Sequence, residues 1–187
     1  MAIHSPQRKL TYQDFEQIPE DGQRHEILDG VHVVSPSPNA LHQIVFGAAF
    51  VKLYVFVMEH GLGRVLSAPF DVVLSEHDIV EPDILFISSS RAEILTESHV
   101  QGAPDLVVEI LSPSTRRRDL GKKLVRYDEL GVQEYWVLEP EASTVLIFRR
   151  EGDGFLSPIL LSAEADDRLA TPLLPGLEIS LRAVFKR

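Results

Sequence analysis

Leu106-Val-Val-Glu-Ile-Leu111 is a near-continuous apolar run of strand length with one carboxylate inside it. Such runs are typical of strands covered on both faces. Burying the Glu109 charge without a partner would cost on the order of several kcal/mol. A metal, an arginine, a lysine or a retained proton must compensate it. From the residues by themselves, a structural ion pair and a functional carboxylate are equally open.

Working outward, Glu81-Pro82-Asp83 immediately precedes the apolar run Ile84-Leu-Phe-Ile87 and stands at a strand entrance. Proline cannot donate to a ladder, so Pro-Asp is also an ordinary way to begin a strand. Downstream, Arg118 to Leu130 reads as a helix ended by Gly131. Asp119, Lys123 and Tyr127 are four residues apart and share one face, so Lys123 can reach back over the sheet toward Glu109 while Lys122 points elsewhere. A simple Asp119–Lys123 pair along the helix is the plainer reading. Thr115 to Arg126 carries six basic residues and one acidic; Asp71 to Glu109 carries nine acidic residues and one basic, Arg91. That separation suits acids holding a cation and bases receiving a phosphodiester, although two surface segments pairing with each other would look the same.

The remaining chain reads as an α/β (α+β) domain around one mixed central sheet flanked by helices, with an N-terminal hairpin. Thr11 and Asp14 form a capping pattern for a short helix that Pro19 ends, and Asp29-Gly30 lies between two apolar-containing runs as a hairpin turn. Apolar residues at helical spacing from Asn39 to His60 wrap most of the helix, which predicts a largely buried element with Asn39 as N-cap and Gly61 as stop. Further strands are expected at Arg64 to Ser67, Phe70 to Leu74, Glu134 to Leu138 and Val145 to Arg149, with a polar helical stretch at Ser90 to Thr96. No linker separates two domains, so residues 1–187 are read as one, with 1–10 a loose arm.

Composition narrows the function. With 187 residues, 44% of them hydrophobic, the chain can bury a real core. It has no cysteine, which excludes disulfides, thiolate zinc and iron–sulfur sites and leaves oxygen or imidazole ligands for a hard cation. The absence of cysteine suits a reducing cytoplasm. A net charge of −10 disfavours bulk electrostatic attraction to nucleic acid. The N-terminus lacks a signal-peptide core, and Ile44 to Met58, interrupted by Lys52, is too short to span a bilayer, so no membrane partner is expected. No Gly-rich phosphate loop, nucleophile elbow or tight His spacing is present. His42 is a substrate- or metal-contacting candidate, or a capping histidine, at the start of the long helix.

These residues carry a resemblance. Glu26-Ile-Leu-Asp-Gly30, Ser35-Pro-Ser-Pro38, Pro82-Asp-Ile-Leu-Phe86, Gly102-Ala-Pro-Asp-Leu-Val-Val-Glu-Ile-Leu-Ser-Pro-Ser-Thr115, Arg118-Asp119, Lys123, Tyr127 and Gly131-Val-Gln-Glu-Tyr-Trp136 resemble the bacterial Uma-type family. That family is similar to PD-(D/E)xK restriction-endonuclease-like nucleases. The resemblance runs from about residue 10 to the C-terminus and implies a core of helix, three strands, helix and strand. It implies a metal-dependent endonuclease acting on DNA, with Asp83, Glu109 and Lys123 catalytic. In the wider superfamily the lysine lies two residues after the glutamate. Here that position is Leu111, and Lys123 on the following helix takes its place. Asp83, Glu109 and the Ile110 backbone carbonyl would hold Mg²⁺ or Mn²⁺, with Glu26 either a further ligand or a partner for a base in the hairpin. Arg116, Arg117, Arg118 and His42 would meet the substrate. A homodimer, through the apolar strands near Leu156 to Leu161, would supply two active sites for a duplex. The alternative is a non-catalytic nucleic-acid-binding or protein-interaction module on a nuclease scaffold.

Overall fold

The structure is a computed structural model and describes residues 8–186. The Thr11 side chain accepts the Asp14 N–H while Asp14 accepts the Thr11 N–H, capping α1 (Tyr12–Phe15). Strands β1 (Arg24–Leu28) and β2 (Val31–Ser35) form the expected hairpin. Asp29 and Gly30 both take positive φ, 54° and 75°, as a two-residue turn matched to strand twist requires. The expected loose arm differs from what is found. Residues 1–7 lie outside the described residues, but the Leu10 N–H donates to the Gly30 carbonyl, the Leu10 carbonyl meets His77 Nδ1, and Lys9 pairs with Asp29. Lys9 and Leu10 are therefore tied across the hairpin turn, and Arg8 pairs with Asp14.

Helix α2 (Ala40–Glu59) is N-capped by Asn39, whose side chain accepts the His42 N–H. It is not largely buried. Val45, Ala49, Leu53 and Val57 form one buried stripe, whereas Ile44, Val51, Tyr54, Val55 and Met58 are 41–57% exposed. The reason is geometric: a sheet covers one side of a helix, and sequence hydrophobicity on the far side does not supply a second layer. By length and composition Ala40–Glu59 could cross a membrane, and it is longer than the interrupted 44–58 stretch, yet its inner stripe belongs to the core.

The chain continues through β3 (Gly63–Ser67), β4 (Asp71–Ser75), β5 (Asp78–Val80), β6 (Ile84–Ser88), a 3₁₀ turn (Ser89–Ile94), β7 (His99–Gln101) and β8 (Leu106–Ile110). Then α3 (Arg116–Arg118) runs through a π-helical segment (Asp119–Lys123) into α4 (Leu124–Glu129). Strands β9 (Glu134–Glu139), β10 (Thr144–Glu151), β11 (Gly154–Phe155), β12 (Ile159–Ser162), β13 (Arg168–Leu169) and β14 (Ile179–Ser180) and helix α5 (Leu181–Val184) complete it.

The central sheet has the order β11-β10-β9-β8-β6-β3, with β12 on the outer edge of β10. It is mixed: β8 is parallel to β9 and antiparallel to β6. The single sheet expected from the sequence is in fact two large sheets. The hairpin joins β5, β4 and β7 in a second, five-stranded sheet of order β2-β1-β5-β4-β7, and β13 pairs with β14 separately. The Phe70–Leu74 run leaves the central sheet because β5 and β7 claim its two edges. Alternation along β8 divides the core. Leu106, Val108 and Ile110 pack with α2, while Val107 and Leu111 face Tyr127, Tyr135 and the second sheet. Glu109 therefore points toward α4.

Candidate active site

Register brings the two strand carboxylates together. In the antiparallel β6–β8 pair Ile84 lies opposite Val108, and one residue further sets Asp83 opposite Glu109. Both are 3% exposed. One Asp83 oxygen, Oδ2, accepts the Ile110 N–H at 2.8 Å and lies 3.1 Å from His42 Nε2; the other, Oδ1, accepts Arg24 Nη1–H at 2.9 Å. Glu109 Oε1 accepts both Lys123 Nζ–H at 2.7 Å and Tyr127 Oη–H at 2.8 Å. Lys123, 1% exposed, divides itself between two acids, because Glu26 Oε1 on β1 also lies 2.7 Å away. The π-helical turn that carries Asp119 to Lys123 keeps Asp119, Lys123 and Tyr127 all buried against the sheet. π turns of this kind are frequent at functional sites.

The charges are unequal in their surroundings. Burial would raise the Asp83 carboxyl, but His42, Arg24 and the Ile110 N–H hold it down at about 2. Burial pushes Glu109 up to about 8 despite Lys123, with Asp83, Asp119 and Glu26 adding repulsion. Glu26 is also penalised by burial, yet Lys123 and Arg118 keep it below its ordinary range. Lys123 stays cationic: its burial is outweighed by Glu109, Glu26 and Asp119. One ammonium thus serves two carboxylates, and burial with three neighbouring acids makes Glu109 the harder of the two to ionise.

Asp83, Glu109 and Ile110 line a small cavity of about 30 Å³ together with Arg24, His42, Arg118 and Asp119, under a rim of Ser35-Pro-Ser-Pro38, Ser112 and Thr115. Among the described residues, three buried side-chain atoms have no hydrogen-bond partner, His42 Nδ1, Arg118 Nε and Asp119 Oδ1, and all three belong to this lining. Arg118 Nε and Asp119 Oδ1 face each other at 3.6 Å, too far for a hydrogen bond. Buried polar atoms left open in one cavity mark a place for water, an ion or a ligand group. Among the described residues no group of three or more His, Asp or Glu side chains is arranged as a metal cage. The potential ligands are mostly oxygen, two strand carboxylates, the Ile110 carbonyl and the open Asp119 oxygen, with the open His42 Nδ1 the one nitrogen among them. That fits a hard cation such as Mg²⁺, which commonly takes one or two carboxylates and completes its shell with water and phosphate.

The other candidates separate clearly. Glu26 does not line the cavity; its Oε1 meets Lys123 and accepts the Glu81 N–H, and Oε2 lies 3.7 Å from Arg118. Lys123 likewise stands behind Glu109, outside the cavity lining. Of the three arginines, Arg118 lines the cavity and donates to Ser35 Oγ, Arg116 pairs with Glu139 on the far side, and Arg117 is exposed. The residue that sequence reasoning missed is Arg24. Period-two alternation along β1 sets it on the same face as Glu26, and that was the available signal.

Residues 12–182 match the family model described as "Uma2: Putative restriction endonuclease". The chain is also similar in structure to the crystal structure of "a putative nuclease belonging to DUF820 from Anabaena variabilis ATCC 29413". The TM-score is 0.79 at 21% sequence identity, covering 94% of this chain and 97% of that one, a likeness that shows the fold. No curated protein matches the chain. With a mixed sheet flanked by helices in the restriction-endonuclease-like arrangement, and a family match spanning nearly its whole length, the chain belongs to the Uma2 family.

Proposed function

We propose that this protein is a divalent-cation-dependent endonuclease that hydrolyses phosphodiester bonds of DNA, acting as a single domain in a cytoplasmic homodimer. The observation that carries the reading is the pair Asp83 and Glu109, buried on adjacent antiparallel strands beside a cavity with open polar atoms. Family descriptions of a restriction endonuclease and of a nuclease support the reaction class. Asp83, Glu109 and the Ile110 carbonyl would hold Mg²⁺ or Mn²⁺, which when bound lowers the pKa of water and stabilises charge on the scissile phosphate. His42, fixed by Asp83, and Arg118, fixed by Ser35, line the cavity and would meet the phosphate there. Lys123 acts through Glu109, holding its carboxylate in place from behind. The apolar edge strand β12, with Ile159 and Leu160 exposed, supports pairing with a second copy. The absence of cysteine agrees with a reducing compartment.

The test combines Mn²⁺ calorimetry with cleavage of supercoiled DNA and of single-stranded RNA, comparing wild type with Asp83→Asn and Glu109→Gln. The expected result is metal binding and DNA cleavage by wild type, both lost in the two variants. DNA affinity that falls with salt but no cleavage with any divalent cation would replace this reading with the non-catalytic module.

A further inference from the structure

Arg24 occupies the acid that the proposed cation needs. Its guanidinium stands between two acids at the cavity. Nη1 donates to Asp83 Oδ1 at 2.9 Å, Nε lies 3.9 Å from Glu81 Oε2, and the side chain lines the cavity. The partners of Asp83 differ in kind. Oδ2 is bound by a backbone N–H of the central sheet and by the buried His42 ring, both fixed by the fold. Oδ1 is bound only through a long, flexible arginine stem that is 26% exposed. Glu81 is held rigidly next to Asp83, since only Pro82 separates them, and the Glu81 N–H is anchored on Glu26 Oε1 at 3.0 Å.

At 3.9 Å Glu81 is an ion-pair neighbour of Arg24 just beyond hydrogen-bond reach. A guanidinium with five donors in a planar fork can satisfy either carboxylate by a small rotation. A dication on Asp83 Oδ1 and a guanidinium on the same oxygen repel each other strongly in a poorly solvated pocket, which favours the guanidinium leaving. We propose that Arg24 is a two-position cation. It closes on Asp83 while the site is without a divalent ion, and passes to Glu81 when such an ion takes Asp83. The inference rests on the reading of Asp83 as a metal ligand.

Glu81 is suited to receive it. The carboxyl is 8% exposed, and the charged groups that act on it from the packed elements are Asp71, Arg24, Glu26 and Lys123. Its Oε2 already stands 3.9 Å from Arg24 Nε, so a guanidinium that leaves Asp83 Oδ1 meets a second buried acid within a small rotation. The arrangement keeps the buried charge balanced in both states. Arg24 is thus a positioning residue that sets the threshold for metal loading.

Calorimetry with Mn²⁺ on wild type, Arg24→Gln, Glu81→Gln and the double variant tests this directly, with a binding constant as readout. Arg24→Gln removes the competitor and is expected to bind Mn²⁺ about tenfold more tightly, equivalent to about 1.4 kcal/mol. Glu81→Gln removes the second position and is expected to bind roughly threefold more weakly, and that effect is expected to vanish in the Arg24→Gln background. A folding defect would weaken binding, the opposite sign from Arg24→Gln. Arg24→Lys, which keeps the charge, is expected to stay near wild type. Wild-type or weaker affinity in Arg24→Gln, or an equal Glu81→Gln effect in both backgrounds, overturns the handover while leaving the metal site standing. No Mn²⁺ binding by wild type or by any variant overturns the metal site and the handover together.

Discussion

Replacing Lys123 by methionine tests whether the buried charge cluster depends on one shared cation. Lys123 is 1% exposed, and its Nζ lies 2.7 Å from Glu26 Oε1 and from Glu109 Oε1. Met keeps the volume and removes the charge, which leaves Glu26 with Arg118 at 3.7 Å as its ion-pair partner beside the Glu81 N–H. Breaking a buried pair from one side costs about 3–5 kcal/mol, a large share of the roughly 5–15 kcal/mol that holds a typical domain. At about 2–4 °C per kcal/mol for a chain of this size, the melting temperature is expected to fall by roughly 6–20 °C. The acid that suffers is identifiable. Burial already pushes Glu109 up to about 8, whereas Glu26, buried too, is held below its ordinary range chiefly by Lys123, so Glu26 is the acid whose surroundings change most when Lys123 is removed. The double variant Glu26→Gln, Lys123→Met is therefore expected to recover more stability than Glu109→Gln, Lys123→Met. Urea unfolding followed through the single tryptophan, the buried Trp136, measures all four proteins. A Lys123→Met loss below about 1 kcal/mol, or equal recovery by the two rescues, would refute the reasoning.

Three further outcomes follow from the same geometry. Glu81 has a folded-state value near 7, above its ordinary 4.5, so the folded protein prefers it protonated and the penalty grows as pH rises from 4.5 through 7. Glu81→Gln is expected to be more stable than wild type by up to about 3 kcal/mol at pH 8 and no different at pH 4, and a constant difference across that range in urea titrations would contradict it. Asp78 is fully buried and accepts two bonds from Arg126, one from Ser75 Oγ and one from the Asp29 N–H. It ties α4 to the second sheet, so Asp78→Ala should lose about 3–5 kcal/mol in the same unfolding assay, and a loss below about 1 would show the tie to be dispensable. On the edge strand β12, Leu160→Lys should convert the proposed dimer to a monomer in sedimentation experiments without lowering the melting temperature; an unchanged sedimentation coefficient would remove that strand from the proposed interface.

The sequence by itself determined the local elements and the identity of the acids. The Asp29-Gly30 turn, the Thr11 and Asn39 caps and the apolar run around Glu109 are signals written within a few residues, where backbone preference and local hydrogen bonds decide the outcome. Helical spacing also put Lys123 and Tyr127 on one face, and both do meet Glu109. Other features depended on partners far away in the chain. Nothing local to α2 says that only one of its apolar faces will find a sheet, and nothing in Phe70–Leu74 says that β5 and β7 will draw it into a second sheet. The setting of Asp83 opposite Glu109 came from strand register between residues separated by 25 intervening positions. The sharing of Lys123 with Glu26, and the seat of Arg24 on Asp83, required the hairpin sheet to pack over the central one. Residue type decided which charges had to be buried; only tertiary packing decided which charge neutralises which, because electrostatic pairing acts through distance in space and not along the chain.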